Sequence, residues 1–383
     1  MIADWAAVGQ RLEILAVVVL WTVVVLRAPA TIRVPRQRAL WLAVATAAAA
    51  MTLSVLSGLL ARRAGDSLHG LSLTTNLLGV VSASAVLDFV VTGTGSRRRY
   101  RHALYCTTVV AIGALVVLDR IAPPHSAHTI RGPDDHVPGL AYWTVLIGAH
   151  LTADAVCAVV CRRYGHESDS RLARATVYLF GMGTAFAGVF WLGKSVRLVV
   201  PADWTAAVLP YCMVLHALLR AAAIAVPLIA AARETAGRVA TIWRLWPLWS
   251  DLTALVPHVV LVHRRSRLAE LLRPQGPFSL LEYRKLIEIR DALLVLQPYC
   301  RPSVPGRARE YLRSVRTPGV STEAAVLACV LHQARRAMLE GAPPRPPSAS
   351  SSDFRTADLH EETSFLVQVA TAYASPAVRQ FEV

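Results

Sequence analysis

Seven separated stretches of mostly apolar residues dominate what this chain can become. Each is about 20 residues long, the length of helix that crosses the hydrocarbon of a bilayer, and a helix satisfies its own backbone amides there. The stretches run at about 7–27, 40–61, 71–93, 103–118, 138–161, 174–198 and 206–232. With 54% hydrophobic residues over 383 positions and a mean hydropathy of +0.44, the chain is not an ordinary soluble enzyme. The first stretch has no basic start, and Arg11 and Glu13 interrupt the place where a secretory signal has a clean apolar core, so it reads as a retained helix. The expected fold class is therefore all-α, a polytopic membrane protein with seven transmembrane helices in residues 1–232.

The chain has 40 Lys and Arg against 25 Asp and Glu, and only Lys194 and Lys285 are lysines. That bias, beside abundant Ala and Val, reads as GC-rich bacterial coding, and the expected location is the plasma membrane of a bacterium. Twelve arginines fall in one set of short loops, at 27–38, 97–101 and 162–174, against five in the other, Arg11, Arg62, Arg63, Arg120 and Arg131. Basic residues stay on the cytoplasmic side, which puts the N-terminus outside and the C-terminus inside. The RRRYRH run at 97–102 reads as an anchor against anionic lipid. The partner implied is the bilayer, and nucleic acid is not implied. Six cysteines lie in the spans or on the predicted inner side, so no disulfide framework follows, and no CxxC pair marks a zinc ribbon.

From about residue 233 the pattern changes to that of a soluble helical domain, expected over 233–340 on the cytoplasmic side. Leu286, Ile289, Leu293 and Leu296 repeat at the three-and-four spacing of one helix face, and Pro298 stops that helix. A second helix is expected at 321–340, opened by Ser321 or Thr322 with Glu323 in its first turn. A Pro/Ser linker follows at 341–352, then a last segment, 353–383, with a helix at about 356–374. RSRLAELLRP at 265–274, YRKLIEIRDALLVLQPY at 283–299 and LVQVATAYA at 366–374, together with the seven-helix order, resemble a family of actinobacterial seven-helix membrane proteins. That family carries a C-terminal domain of unknown function and is labelled as transporters. The resemblance covers nearly the whole chain and implies membrane location and transport, but it brings no site residues with it.

The residues must therefore supply the site. An ionisable side chain deep in a bilayer is expensive and marks a functional candidate unless it can snorkel to the interface. With a rise of about 1.5 Å per residue, Arg220 lies roughly 18 Å from the inner end of the seventh span, too deep to snorkel. His216 is one turn away on the same face, and His150 and Asp154 share that spacing in the fifth span. The expectation is that His150, Asp154, His216 and Arg220 line one internal cavity, with Asp88 nearer the inner side, as a proton relay or a site for an anionic or hydrogen-bonding ligand. The structural alternative is an Asp154–Arg220 pair that locks helices five and seven, with Asp88 meeting the 97–101 cluster. Lys194 and Arg197, on one face of the sixth span, are either interface anchors or a vestibule for an anion. In the outer loop, His125, His128, Asp134, Asp135 and His136 mix imidazole and carboxylate, the donors of a transition-metal site, although a flexible polar loop explains them as well.

No GxxxxGK[ST], HExxH or GxSxG motif is present, so no catalytic residue and no cofactor are assigned. The expected function is passage of a small molecule or ion through the polar mid-membrane site. The alternative is a receptor or sensor whose inner helical domain engages a cytoplasmic protein partner, and a membrane enzyme ranks third because no nucleophile stands beside the buried set.

Overall fold

The structure, a computed structural model, describes residues 2–33, 35–60, 69–93, 98–130, 132–202, 204–262, 265–315, 319–345 and 358–381. Seven helices are long and apolar enough to cross a membrane: α1 (Ile2–Arg33), α2 (Pro35–Leu60), α3 (His69–Gly93), α4 (Arg98–Ile121), α5 (Leu140–Glu167), α6 (Arg171–Val199) and α7 (Trp204–Leu255). Arg62, Arg63, Arg97, Arg131 and most of the expected Pro/Ser linker lie outside the described residues. The chain divides into two compact units, Met1–Ala230 and Ala231–Val383.

In the first unit the longest seams run between α5 and α6 and between α2 and α3, and α3 also packs on α5, out of sequence order. Its interior is made mainly of small and branched residues, among them Leu20, Ala43, Val44, Ala48, Ala217 and Ile224. Polar side chains join the helices: Trp21 Nε1 donates to Thr52 Oγ1 at 2.9 Å, Trp41 Nε1 to the Val24 carbonyl at 2.8 Å, and Arg27 Nη1 to the Ile224 carbonyl at 2.9 Å. The outward faces are apolar. Val109, Val110 and Ile121 of α4 are 69%, 70% and 73% exposed, and contiguous apolar surface on so many helices is a stable exterior only against lipid tails. The chain thus has the build of an integral membrane protein.

The α5–α6 seam depends on a missing side chain. A Cβ on Gly181 would lie 2.7 Å from Cys161 Cβ, an atom fixed to its own helix backbone. Cys157 and Cys161, 3.8 Å apart at sulfur, fill the same seam as reduced thiols, the small-residue contact that brings membrane helices together. Gly181→Val is expected to lower stability by about 1–3 kcal/mol by overpacking; a melting midpoint in detergent equal to that of the natural protein would contradict this.

The chain is all-α apart from one short feature. Between α4 and α5 the chain forms a two-stranded antiparallel ribbon, β1 (Thr129–Ile130) with β2 (His136–Val137), pairing Thr129 with Val137 and Ile130 with His136. Ile130 is 3% exposed and packs with Leu115, Tyr142 and Leu146. This anchor orders a segment that composition alone describes as flexible.

The seventh helix also differs from its expected end near residue 232, where the apolar run stops. Helix α7 continues to Leu255. Ala, Arg and Glu of RETAGRVA are good helix formers that outweigh Gly237. Arg238 is held by Glu234 at 2.8 Å, one turn back, and by Glu282 at 3.0 Å.

The second unit adds α8 (Arg267–Leu272), α9 (Phe278–Leu296), α10 (Val304–Ser314), α11 (Thr322–Leu339), α12 (Leu359–Tyr373) and α13 (Pro376–Arg379). Helix α9 ends at Leu296, before a 3-10 turn through Pro298, and its Leu286, Ile289 and Leu296 are buried with Leu293 packed against them. Ser321 caps α11 by accepting from Ala324 N, which satisfies one orphan amide of the first turn. These helices close over Leu245, Leu248, Trp249 and Leu252 from the end of α7. Burial pushes the Cys300 and Cys329 thiols up to about 11, so both are protonated and unreactive near neutrality.

Candidate functional site

A cavity of about 250 Å³ lies inside the first unit. His150 and Asp154 of α5 and His216 and Arg220 of α7 all face it, so the two pairs spaced four residues apart meet across one chamber. Their side chains are held from behind. His150 Nδ1 is 3.0 Å from the Leu146 carbonyl and His216 Nδ1 is 2.8 Å from the Gly183 carbonyl. A carbonyl only accepts, so each ring donates from Nδ1, and in the neutral form each Nε2 keeps its lone pair. The His150 ring also stacks on Trp191 at 4.0 Å.

Arg220 is 3% exposed. Its Nη2 donates to Thr184 Oγ1 at 3.2 Å, and its guanidinium lies 4.8 Å from the Phe180 ring centre. The approach of α7 to α6 here depends on Gly183, where a Cβ would lie 3.2 Å from the His216 carbonyl and 3.3 Å from Arg220 Cγ. No direct Asp154–Arg220 contact of the structural alternative forms; the guanidinium's side-chain hydrogen bond goes to Thr184. Asp154 Oδ2 and Arg220 Nε are both buried without a hydrogen-bond partner in the protein. An acceptor and a donor that face one chamber, each without a partner in the protein, suit a third participant between them.

Lys194 also lines the chamber, between the faces of Trp143 at 5.9 Å and Phe190 at 5.5 Å. Glu13 of α1 lines the same space. Of the expected vestibule pair, Lys194 borders the chamber, whereas Arg197 is not among the chamber's residues and its Nε is buried without a hydrogen-bond partner. Glu13 escapes sequence reasoning because, in the first span, it looks only like an interruption of an apolar run. Ser54, Ser72, Thr75 and Asn76 add hydroxyl and amide donors to the wall.

Asp88 does not belong to this site. Its Oδ1 accepts from Arg101 Nε at 2.8 Å and from Tyr105 OH at 3.0 Å, a local tie between α3 and α4. The basic cluster one helix away captures the carboxylate, as the alternative reading holds.

The outer-loop set is also rearranged. His125 and His128 turn inward and meet His69, the first residue of α3, and Asp119 near the end of α4. Asp134, Asp135 and His136 are not members of this cluster; they sit in and beside the ribbon, whose pairing holds them in another place. Burial drives the His128 imidazole down to about 4, against the pull of the Asp119 carboxylate. His128 also borders the chamber. His69 and Asp119 carry no sequence signal that links them, since they lie fifty residues apart at the ends of two spans.

No curated protein and no solved structure matches this chain. Residues 233–375 match the model of a family of unknown function, DUF6545, which supplies the C-terminal domain of unknown function that the resemblance implies and carries no transporter assignment.

Proposed function

We propose that the chamber binds a small solute with both hydrogen-bond-donating and accepting or charged groups, and that the protein passes this solute across the bilayer. The observation that carries this reading is the set of ionisable groups around one membrane-embedded cavity, with Asp154 Oδ2 and Arg220 Nε lacking partners in the protein. Buried polar atoms without partners are rare in folded proteins. An anionic group matches Arg220 and Lys194, and a cationic or donor group matches Asp154 and Glu13. A volume near 250 Å³ lies just below the range of drug-sized ligand pockets, about 300–1,000 Å³, which fits a small metabolite or hydrated ion better than a lipid or peptide. The role is binding and passage, not catalysis. In the proposed orientation, the N-terminus is outside a bacterial plasma membrane and the second unit is cytoplasmic, following the arginine count.

The test is native mass spectrometry of the full chain in detergent, joined to flux in proteoliposomes. A small species that travels with the protein and crosses the reconstituted bilayer is the expected result. No bound species, together with no thermal shift across inorganic ions, amino acids and organic acids, would end this reading. Sensing is the second reading, favoured by one feature: α7 supplies both His216 and Arg220 to the chamber and Leu245, Leu248 and Trp249 to the core of the second unit. Binding without flux would select it.

A further inference from the structure

The cluster at the ends of α3 and α4 has the composition and spacing of a metal site. Asp119 is at its centre, with a fully buried side chain. His69 Nε2 lies 3.0 and 3.1 Å from its two carboxylate oxygens, His128 Nε2 lies 2.9 Å from Oδ1, and His125 Nε2 lies 3.3 Å from the same oxygen. One candidate ligand atom from each of the four residues lies within 4.8 Å of all the others. An ion bound tetrahedrally at about 2.0–2.1 Å spaces its ligands at roughly 3.3–3.5 Å, so side-chain shifts of up to about an ångström, with the imidazoles moving slightly off the carboxylate and toward one another, bring all four donors into range.

His125 points to the ion most directly. Its Nδ1 is 2.8 Å from the Pro123 carbonyl and therefore donates to it. In the neutral ring this leaves the Nε2 lone pair facing a carboxylate oxygen. That nitrogen is buried without a hydrogen-bond partner on a side chain only 8% exposed. Two lone pairs set against each other repel, and a cation between them removes the repulsion. A ligating histidine that donates its other N–H to a backbone carbonyl is the usual outer arrangement of a metal site. His128 is held differently: Asn76 Nδ2 donates to its Nδ1 at 3.0 Å, which leaves the proton on Nε2, facing Asp119. Rotation of that amide presents its oxygen to an Nδ1–H once Nε2 holds a metal.

We infer that His69, Asp119, His125 and His128 form a binding site for a divalent transition-metal ion of the zinc class. Three imidazoles and one carboxylate are the donors such ions select, whereas calcium and magnesium take oxygen. Four protein donors fill a tetrahedral shell, which makes the ion structural rather than catalytic. It ties the start of α3, the end of α4 and the loop before the ribbon, and through His128 it fixes part of the chamber wall. The site does not depend on which solute the chamber takes.

The experiment uses the full chain in detergent after chelation, titrated with Zn(II) against a chromophoric competitor and, in parallel, with Co(II) read by its visible absorption. One ion per chain, an intense tetrahedral Co(II) band and a metal-dependent rise in melting midpoint are expected. His125→Ala is expected to lower affinity by more than the roughly 10–100-fold loss typical of outer-shell partners, with the metal-dependent rise in melting abolished and the melting of the chelated protein largely kept. His136→Ala is expected to bind as the natural protein does. If Asp119→Asn fails to fold, His69→Gln tests the same shell from its more exposed side. Absence of stoichiometric binding by the natural protein, or unchanged affinity in both His125→Ala and His69→Gln, would overturn the site.

Discussion

Arg220→Gln is expected to weaken binding of the chamber's solute by about 10–100-fold while the helices remain assembled. Glutamine is shorter and neutral, so the change removes the charge and the Thr184 bond while leaving a polar side chain against the chamber. A hydrogen bond to a charged group contributes about 1.5–3 kcal/mol, and each 1.4 kcal/mol is tenfold in affinity. Arg220 is 3% exposed and its Nε has no partner in the protein, so little solvent screening reduces that contribution. Native mass spectrometry and solute-dependent melting read the loss. The double variant Asp154→Asn, Arg220→Gln separates binding from scaffolding. If the two charges serve only each other, the double variant recovers stability and full binding together; if they serve a solute, stability recovers and binding does not. A single variant that holds the same species as tightly as the natural protein would remove Arg220 from the site.

In the second unit, Glu288→Ala is expected to cost about 3–5 kcal/mol, the range for stranding one side of a buried charged network. Glu288 is 3% exposed. Its Oε2 accepts from the Trp249 indole at 2.6 Å and its Oε1 from the Leu261 amide at 3.0 Å, so its loss leaves two donors without that carboxylate. The same pocket holds Lys285, whose Nζ lies 3.1 Å from Glu270 Oε2 and 3.0 Å from the Trp249 ring centre. Glu288→Gln keeps one acceptor and is expected to lose less, about 1–3 kcal/mol. Thermal unfolding of the full chain in detergent, followed by tryptophan fluorescence, measures both. A loss under about 1 kcal/mol for the alanine variant would show that the carboxylate is not needed by the helices around it. This network also accounts for the two stretches 265–274 and 283–299, whose Glu270, Lys285 and Glu288 meet around one tryptophan.

Much of the chamber was legible because its residues sit on long helices. Spacing by four put His150 with Asp154 and His216 with Arg220 on single faces, and depth from the span ends brought the two faces to one level. What spacing does not contain is which neighbour a charged group chooses. Asp88 went to Arg101 and Tyr105, and Arg220 bonds to Thr184 with no direct contact to Asp154, because contacts are set by where side chains meet in three dimensions and not by composition. Glu13 was hidden, and the direction of Lys194 left open, for a related reason. A single charge near a span end looks the same whether its helix turns it toward headgroups or toward a cavity.

The second unit shows the same division. The α9 face and the Ser321 cap are local, and both were readable, whereas the continuation of α7 to Leu255 depended on packing against partners more than twenty residues further on. The sequence by itself determined the seven membrane-length helices, since about 20 apolar residues in lipid have no other way to satisfy their backbone, and it determined which turns carry buried charge. Only the tertiary structure decided that His69 and Asp119 complete a set with His125 and His128, because hydrogen-bond and coordination geometry joins atoms a few ångströms apart, however many residues of chain separate them.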